Sequence, residues 1–316
     1  MSRFLLFLIL FSLNLQAQKF EKVSAIVNNY PGYADVEQLA KRISVDFDSD
    51  TDKAKAAFYW LSKNIRYNLR ELYNPRRRSV SFRYSSEAER QQKLQQIRDQ
   101  LINKAFKTKL GVCEEYAQSF KKICDLMDLE AYVIKGYVRI NTNEIGKIPG
   151  RTNHAWNVIK LNNRFIILDA TWAAGYEFQN RWVRDFNPYY WDIPYQNIFK
   201  THFPKERIWT LRFGRMGIDE FFNQPLFSNS FFKTNAELVS PTTGILSSSD
   251  DTFTIRLKNL PQGVEIAYGI QGMRFAQKPI ITRKSNITTL EVKNPKRQSE
   301  LILYFNQRDA LSFRIE

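Results

Sequence analysis

The 316-residue sequence is poor in the side chains that most often bind metals, with only two cysteines and two histidines. Cys113, Cys124, His154 and His202 do not follow the spacing of a zinc site. We find no internal repeat and no glycine-rich loop of the kind that binds phosphates. The sequence therefore predicts neither a metal nor a bound cofactor.

Long apolar runs are also scarce, and the longest lies at the amino terminus. Arg3 precedes an unbroken apolar run over residues 4–11, and the segment ends at Ala17. This is the pattern of a secretory signal peptide, and it is too short to span a bilayer as a helix. We therefore expect residues 1–17 to be a signal peptide. The mature chain is expected to be periplasmic or secreted and to have no transmembrane segment.

Acidic residues are outnumbered, because 47 lysines and arginines against 32 acids give a net charge of +15. Such a charge attracts anionic surfaces, and for an exported protein the candidate partner is an anionic cell-envelope polymer. The simpler interpretation is a solvated basic surface with no partner. Export makes nucleic acid a less natural partner.

Composition changes near residue 235, and this change predicts a domain boundary. All six tryptophans, both cysteines and both histidines precede it. The residues after it form short alternating apolar and polar runs separated by turn sequences, which is the pattern of a small β-sandwich. We expect a core domain over residues 18–234 and a β-sandwich domain over 235–316. The second domain lacks the residue types for a nucleophile and its base.

Apolar residues at helical spacing predict four helices in the core domain. They run over residues 35–47, 53–65, 86–106 and from Cys113 to about 127. The acidic run 46–52 resembles the start of a calcium loop, but it lacks the glycine and the glutamate that such a loop needs at its sixth and twelfth positions. We interpret this run as a turn and a helix cap.

Two further stretches of the core domain invite a binding role. The basic run 74–78 is interpreted as an exposed loop, although its three arginines could grip an anion. The aromatic-rich residues 172–234 either line a substrate cleft or form a covering loop packed on the sheet.

Cys113 lies where a turn after Gly111 becomes a helix with an apolar stripe. A helix N-terminus offers unpaired N–H groups and a partial positive charge, and both stabilise a thiolate. Cys124 lies on the same stripe, about 16 Å away if both residues share one helix. A disulfide needs Cα atoms within about 7 Å. We therefore expect no disulfide, and Cys124 to pack in the core.

Two predicted strands carry the partners that a cysteine nucleophile needs. His154 opens one strand, Asp169 lies in the next, and the asparagine pair at 162–163 predicts a short hairpin turn between them. Adjacent antiparallel strands can place such side chains together, so Cys113, His154 and Asp169 form a candidate catalytic triad. The alternative is that His154 hydrogen-bonds locally and Asp169 caps a turn.

Three separated motifs carry a resemblance to a known family. They are Gly111-Val112-Cys113 with Tyr116-Ala117, then His154-Ala155-Trp156-Asn157-Val158, then Asp169-Ala170-Thr171-Trp172. In this order they resemble the transglutaminase-like superfamily, and most closely its bacterial and kyphoscoliosis-peptidase-like branch. The resemblance covers roughly residues 50–215. It implies an α+β fold with a papain-like core, in which a cysteine helix packs on an antiparallel sheet that carries the histidine and the aspartate.

Carried over from the family, Cys113 is the nucleophile, His154 the base and Asp169 its orienter. Glu115 departs from the pattern, because the family often has glycine before the Tyr-Ala pair. A carboxylate two residues from the thiol would disfavour the thiolate or narrow the cleft.

The resemblance implies a cysteine-dependent enzyme that acts on amide bonds of a protein or peptide through a thioester, and the signal peptide implies that this enzyme is exported. Water as the acceptor would make it a peptidase or deamidase, and an amine would make it a transglutaminase. We favour hydrolysis, because no feature of the sequence marks a protected amine site. The alternatives are a catalytically idle domain that binds cell-envelope peptide or glycan, and a purely structural assembly factor.

Overall fold

The computed structural model describes residues 20–74 and 82–316. The predicted signal peptide over residues 1–17 and most of the basic run 74–78 lie outside the described residues. The chain divides into two compact units, each built from two segments. Unit 1 comprises the described residues up to Lys135 together with His154–Pro194, and unit 2 comprises Gly136–Asn153 and Tyr195–Glu316.

Helices make up most of unit 1 within the described residues. They are α1 (residues 20–27), α2 (Val36–Asp46), α3 (Asp50–Asn64), α4 (Leu69–Tyr73), α5 (Glu87–Thr108), α6 (Cys113–Asp125) and α7 (Ala170–Ala174). The four helices predicted from apolar spacing are confirmed as α2, α3, α5 and α6, with ends that differ by a few residues. In the described part of the chain, no helix combines the length and apolar character that crossing a bilayer requires.

Side-chain caps determine where two of these helices begin. Asp35 accepts a hydrogen bond from the backbone N–H of Gln38 at the start of α2, at 2.9 Å. Ser49 accepts one from the backbone N–H of Asp52 at the start of α3, at 3.1 Å. Each bond satisfies a backbone donor that the helix itself leaves unpaired. The acidic run 46–52 is therefore a turn and a cap, as predicted.

The strands of unit 1 include two small pairs and part of a larger sheet. β1 (Arg66–Tyr67) pairs in parallel with β2 (Leu110–Gly111), while β3 (Ala131–Val138) begins in unit 1 and ends in unit 2. β4 (His154–Leu161) pairs antiparallel with β5 (Arg164–Leu168), and β6 (Gly175–Phe178) pairs antiparallel with β7 (Arg181–Arg184). In the larger sheet, β5, β4 and β3 are neighbours in that order. Asn162 and Asn163 both have positive φ, at 49° and 59°, as a two-residue hairpin turn requires. The predicted hairpin is confirmed.

Two predictions need correction. Asp169 does not lie in a strand, because β5 ends at Leu168 and Asp169 caps the short helix α7. Residues 172–234 are not a covering loop. They include β6 and β7 and, in unit 2, a series of short elements: β8 (His202–Pro204), α8 (Tyr195–Thr201), α9 (Arg207–Phe213), α10 (Ile218–Asn223), β9 (Leu226–Phe227) and α11 (Asn229–Phe232).

The rest of unit 2 is a β-sandwich. One sheet has the order β10 (Glu237–Ser240), β12 (Thr252–Lys258), β15 (Ile287–Lys293), β14 (Ile280–Lys284). The other has the order β11 (Ile245–Leu246), β17 (Arg308–Ile315), β16 (Ser299–Phe305), β13 (Ile266–Ile270), and β9 also pairs with β17. Alternating buried side chains from both sheets form one apolar core. The α+β class with a carboxyl-terminal β-sandwich is confirmed, whereas the domain boundary at residue 235 stays a prediction.

Cys113 and Cys124 are free thiols near opposite ends of α6, and Cys124 is fully buried. The expected absence of a disulfide between them is confirmed. Burial also raises the pKa of the Cys124 thiol well above its usual value. Cys124 therefore behaves as a small core hydrophobe.

A tight contact between Gly111 and Glu115 shapes the start of α6. The backbone N–H of Val112, the residue before the helix, donates to the Glu115 carboxylate at 3.1 Å. A Cβ atom placed on Gly111 would lie 2.8 Å from the Cβ of Glu115. Glycine is therefore required at position 111 by the side chain one turn further along.

Replacing Ile255 or Ile281 with alanine shows how the loss of stability depends on burial, because the residue type is the same at both positions. Both residues lie opposite Leu290 in the same sheet, but Ile255 is 0% exposed and Ile281 is 42% exposed. We expect Ile255→Ala to lower the free energy of unfolding by about 2–5 kcal/mol, because it removes buried surface and leaves a cavity. For Ile281→Ala we expect less than about 1 kcal/mol. Urea unfolding monitored by circular dichroism measures both, and equal losses would contradict this assignment of the core.

The contact at the start of α6 predicts that Gly111→Ala destabilises the protein by about 1–3 kcal/mol through overpacking. Urea unfolding monitored by circular dichroism measures this loss as well. The matched control is Gly263→Ala, where the added Cβ meets no atom within 4 Å. We expect the control to change stability by less than about 0.5 kcal/mol.

A double-mutant cycle with Glu115→Gly tests whether contact with the Glu115 side chain causes the destabilisation by Gly111→Ala. Because Glu115→Gly removes the atom that the new methyl group would meet, Gly111→Ala should cost much less in that background. An undiminished cost would show that the clash is with another group.

Candidate active site

Cys113 is the first residue of α6 and is partly exposed. The helix has 13 residues, so its first turn presents unpaired backbone N–H groups and a partial positive charge next to the sulfur. The carboxylate of Glu114 in the same turn is engaged by Lys135 at 3.2 Å and by the amide of Gln118 at 2.9 Å. The sulfur therefore lies at the end of the helix where N–H donors are unpaired, and the nearest acidic side chain of that turn is engaged by other groups.

His154 is the first residue of β4, and it is buried. Its Nε2 lies 2.6 Å from Oδ2 of Asp169. The imidazole also makes a hydrogen bond with Cys113. Because Asp169 occupies Nε2, the nitrogen that faces the cysteine is Nδ1. The structure thus brings together all three residues that the sequence singled out.

Asp169 uses both of its carboxylate oxygens. While Oδ2 contacts His154, Oδ1 accepts hydrogen bonds from the backbone N–H groups of Thr171 at 2.8 Å and Trp172 at 3.0 Å. The side chain is fully buried. Asp169 therefore caps a helix and also contacts the histidine, while its catalytic role stays a prediction.

The pKa of His154 reflects opposing effects. Burial is the largest and lowers it, because it disfavours the charged imidazolium. The charges of Asp169 and Cys113, together with hydrogen bonds to both, raise it, and the net result is a pKa of about 10. His154 therefore carries a proton at neutral pH.

The side chain of Glu115 is buried at the start of α6. It is 2% exposed, and its carboxylate accepts the hydrogen bond from Val112 described above. A side chain buried in this way does not narrow an open cleft. The departure from the family pattern at this position is thus accommodated by the glycine at 111.

Hydrogen bonds between elements fix the relative positions of the three site residues. The side-chain amide of Asn157 in β4 donates to the backbone carbonyl of Ala117 in α6 at 3.0 Å. The hydroxyl of Ser62 in α3 donates to the carbonyl of Ala170, at 3.2 Å, beside Asp169. The hydroxyl of Tyr116 in α6 donates to the carbonyl of Ile65 at 2.6 Å. These bonds join the cysteine helix to β4, and α3 to both α6 and α7.

Aromatic rings surround the imidazole. The ring centroid of His154 lies 6.1 Å from that of Trp156 and 5.8 Å from that of Trp172. Trp172 in turn makes an edge contact with Tyr190 at 5.5 Å. Such apolar surroundings exclude water and strengthen the charge interactions among the three site residues.

Tyr67 is a further residue of this site. The register of β1 and β2 places it opposite Gly111, two residues before Cys113. Burial raises the pKa of Tyr67, and the nearby charges of Cys113, Asp169 and Glu115 raise it further, so the phenol keeps its proton. Its ring stacks on Trp182 in β7, with centroids 5.5 Å apart. Tyr67 is therefore a protonated phenol near enough to Cys113 to be affected by its charge.

Trp60 is another aromatic N–H donor that precedes the cysteine helix, but its contacts differ from those of Tyr67. Trp60 is fully buried, stacks on Phe106, and directs its indole nitrogen to the carbonyl of Pro31 at 3.4 Å. Trp182 was not singled out at all. No signal in the sequence connects residues 67 and 182, which meet only because β7 lies against β1.

Comparison with known proteins gives a consistent result. The family model described as the transglutaminase-like superfamily matches residues 37–170, a range that includes Cys113, His154 and Asp169. Human kyphoscoliosis peptidase is 20% identical over 251 residues, which cover 78% of this chain and 35% of that protein. The mouse protein is 21% identical with the same coverage.

Other matches are more distant. Hillarin of Drosophila melanogaster is 23% identical over 219 residues, covering 58% of this chain and 26% of its own length. This chain thus spans about a third or less of the length of these curated relatives. A crystal structure described as that of a TGase is 15% identical with a TM-score of 0.30, covering 48% of this chain and 34% of its own.

The family match and the two kyphoscoliosis peptidases agree with the motifs around the cysteine, the histidine and the aspartate. Over residues 37–170, the chain therefore matches the transglutaminase-like superfamily.

Proposed function

We propose that this protein is a cysteine-dependent enzyme that acts on amide bonds of proteins or peptides. The observation that carries the proposal is the hydrogen-bonded series Cys113–His154–Asp169 at the N-terminus of α6. A thiol, an imidazole and a buried carboxylate in this order make an activated nucleophile. The name of the two mammalian relatives, kyphoscoliosis peptidase, fits the same chemistry.

The first half of the proposed reaction acylates the enzyme. The Cys113 thiolate attacks the amide carbonyl carbon, a C–S bond forms, and the carbonyl oxygen becomes an oxyanion. As the intermediate collapses, the C–N bond breaks and the protonated His154 gives its Nδ1 proton to the leaving amine. The products are a thioester on Cys113 and a neutral imidazole that Asp169 keeps in position.

The second half of the reaction releases the acyl group. Neutral His154 takes a proton from water as the water oxygen attacks the thioester, the C–S bond breaks, and the thiolate is restored. An amine in place of water would give a new amide. We propose hydrolysis, so that the enzyme acts as a peptidase or as a deamidase of glutamine side chains.

The oxyanion of both intermediates needs hydrogen-bond donors. The backbone N–H of Cys113 lies in the first turn of α6, where the helix provides no acceptor. We propose the Tyr67 hydroxyl as the second donor. Its protonated state and its position opposite Gly111 support this role.

Alkylation by iodoacetamide tests the thiolate–imidazolium pair. We expect Cys113 to react at pH 6 at least about tenfold faster than an ordinary thiol, whose pKa near 8.5 leaves less than about 1% thiolate at that pH. His154→Gln should remove this advantage, because no imidazolium then holds the anion. The buried Cys124 is an internal control that should stay unlabelled in the folded protein. Mass spectrometry of the digested protein measures labelling at both sites.

The pKa of about 10 for His154 also fixes a pH limit for turnover. Amide cleavage needs the proton of His154, so its rate should fall as the pH rises through about 10. Alkylation needs only the thiolate, and its rate should not fall at that pH.

If Cys113 is alkylated like an ordinary thiol in both the wild type and His154→Gln, the enzyme proposal is wrong. The idle binding module then becomes the better hypothesis.

Substitution of Tyr67 tests the second donor. 4-Nitrophenyl acetate acylates a cysteine through an oxyanion, whereas alkylation by iodoacetamide forms none. We therefore expect Tyr67→Phe to slow acylation by about 100-fold and to change the alkylation rate less than about twofold. The matched control is Tyr73→Phe, at an exposed tyrosine of α4. Equal effects on acylation and alkylation would assign Tyr67 a structural role only.

A further inference from the structure

Unit 2 carries a wide, open cavity of about 610 Å³ at its surface, and the proposed reaction gives this cavity no role. Its walls come from the end of β8, from α9, and from the loop of residues 214–217 that leads into α10. A volume of this size lies within the range of about 300–1,000 Å³ that is common for ligand sites.

Three cations surround this cavity without any acidic partner. Lys205, Arg207 and Arg215 line it, and its lining includes no aspartate or glutamate. Among the described residues none of the three is in an ion pair. The remaining residues, 1–19 and 75–81, contain no acid that could supply one. These cations are therefore available to an anionic ligand.

A neighbouring arginine shows the contrast. Arg212 lies on the same helix as Arg207, and its guanidinium stacks on Trp209 at 5.7 Å. Arg212 therefore serves the packing of α9. The three cations of the cavity have no such contact among the described residues.

The cavity also presents apolar surface. Phe203, Leu211, Met216 and Ile218 contribute to its lining, and Leu211 is 56% exposed. The side-chain amide of Gln224 donates to the sulfur of Met216 at 3.3 Å and to the carbonyl of Phe199 at 3.0 Å, so it fixes this part of the wall. A ligand that fills the cavity would bury apolar surface as well as pair its charges.

We propose that this cavity binds an acidic peptide segment that carries an apolar side chain between its carboxylates. A free inorganic anion would pair with the cations but leave the apolar wall exposed. A short acidic peptide matches both the charge and the apolar wall. Because Cys113 is not part of the cavity, binding does not depend on the proposed reaction.

Fluorescence anisotropy of a labelled peptide tests the proposal on the full chain. The probe is the hexapeptide DLEFDE with fluorescein at its amino terminus. We expect saturable binding that weakens with added salt. In the triple variant Lys205→Gln, Arg207→Gln, Arg215→Gln, we expect affinity to fall about tenfold or more, which is the combined effect of three exposed charge pairs. The variant DSESDE, which lacks the apolar side chains, should bind more weakly to the wild type.

A matched control removes the same charge elsewhere in unit 2. Lys278, Lys284 and Lys293 are exposed residues of the same unit outside the cavity. Replacing all three with glutamine should change affinity less than about twofold. A Cys113→Ser variant should bind like the wild type, so that failure of the reaction and failure of this site are distinguishable. Circular dichroism and thermal unfolding check that each variant is folded.

Three results would overturn the proposal. Equal losses in the cavity and control variants would show that binding follows net charge alone. Equal binding of DLEFDE and DSESDE would remove the role of the apolar wall. Competition by inorganic phosphate at concentrations similar to the peptide, or cavity-dependent binding of phosphatidylglycerol vesicles with no peptide binding, would assign the site to a different ligand.

Discussion

The buried carboxylate of Asp169 is the constraint on which the site depends. One oxygen holds His154 at 2.6 Å, and the other accepts two backbone N–H groups at the start of α7. These bonds give an ionised carboxylate the partners that it needs away from water. They also fix its orientation, so the imidazole it holds cannot turn away from Cys113. The position of the five-residue helix α7 therefore helps to fix the orientation of the His154 imidazole.

The charge of His154 follows from a balance that Asp169 decides. Burial acting alone would make the imidazole neutral, but the two anions beside it raise its pKa to about 10. One of these anions is Cys113 itself, so each member of the pair stabilises the charge of the other. Without Asp169, one anion fewer would offset the effect of burial, and the pKa of His154 would be lower. Asp169 therefore acts on the cysteine through the histidine, without contacting the substrate.

Local signals made much of this fold predictable from the sequence. Periodic apolar residues gave α2, α3, α5 and α6, and the two asparagines at 162–163 gave the β4–β5 hairpin. The candidate triad was found because each of its members lies in a short motif. Contacts between distant segments were not readable in this way. Tyr67 and Trp182 meet through packing of β1 and β7, and no spacing rule connects residues so far apart in the chain.

The same distinction applies to charge. Composition gives the total of +15 but not the positions of the unpaired cations. Many lysines and arginines lie in exposed pairs such as Arg42–Asp46 and Lys121–Asp125, which contribute little to stability or binding. Lys205, Arg207 and Arg215 differ because the fold brings them to one cavity beside apolar side chains. A general attraction to anions would depend only on the total charge, whereas the proposed peptide site depends on these three positions.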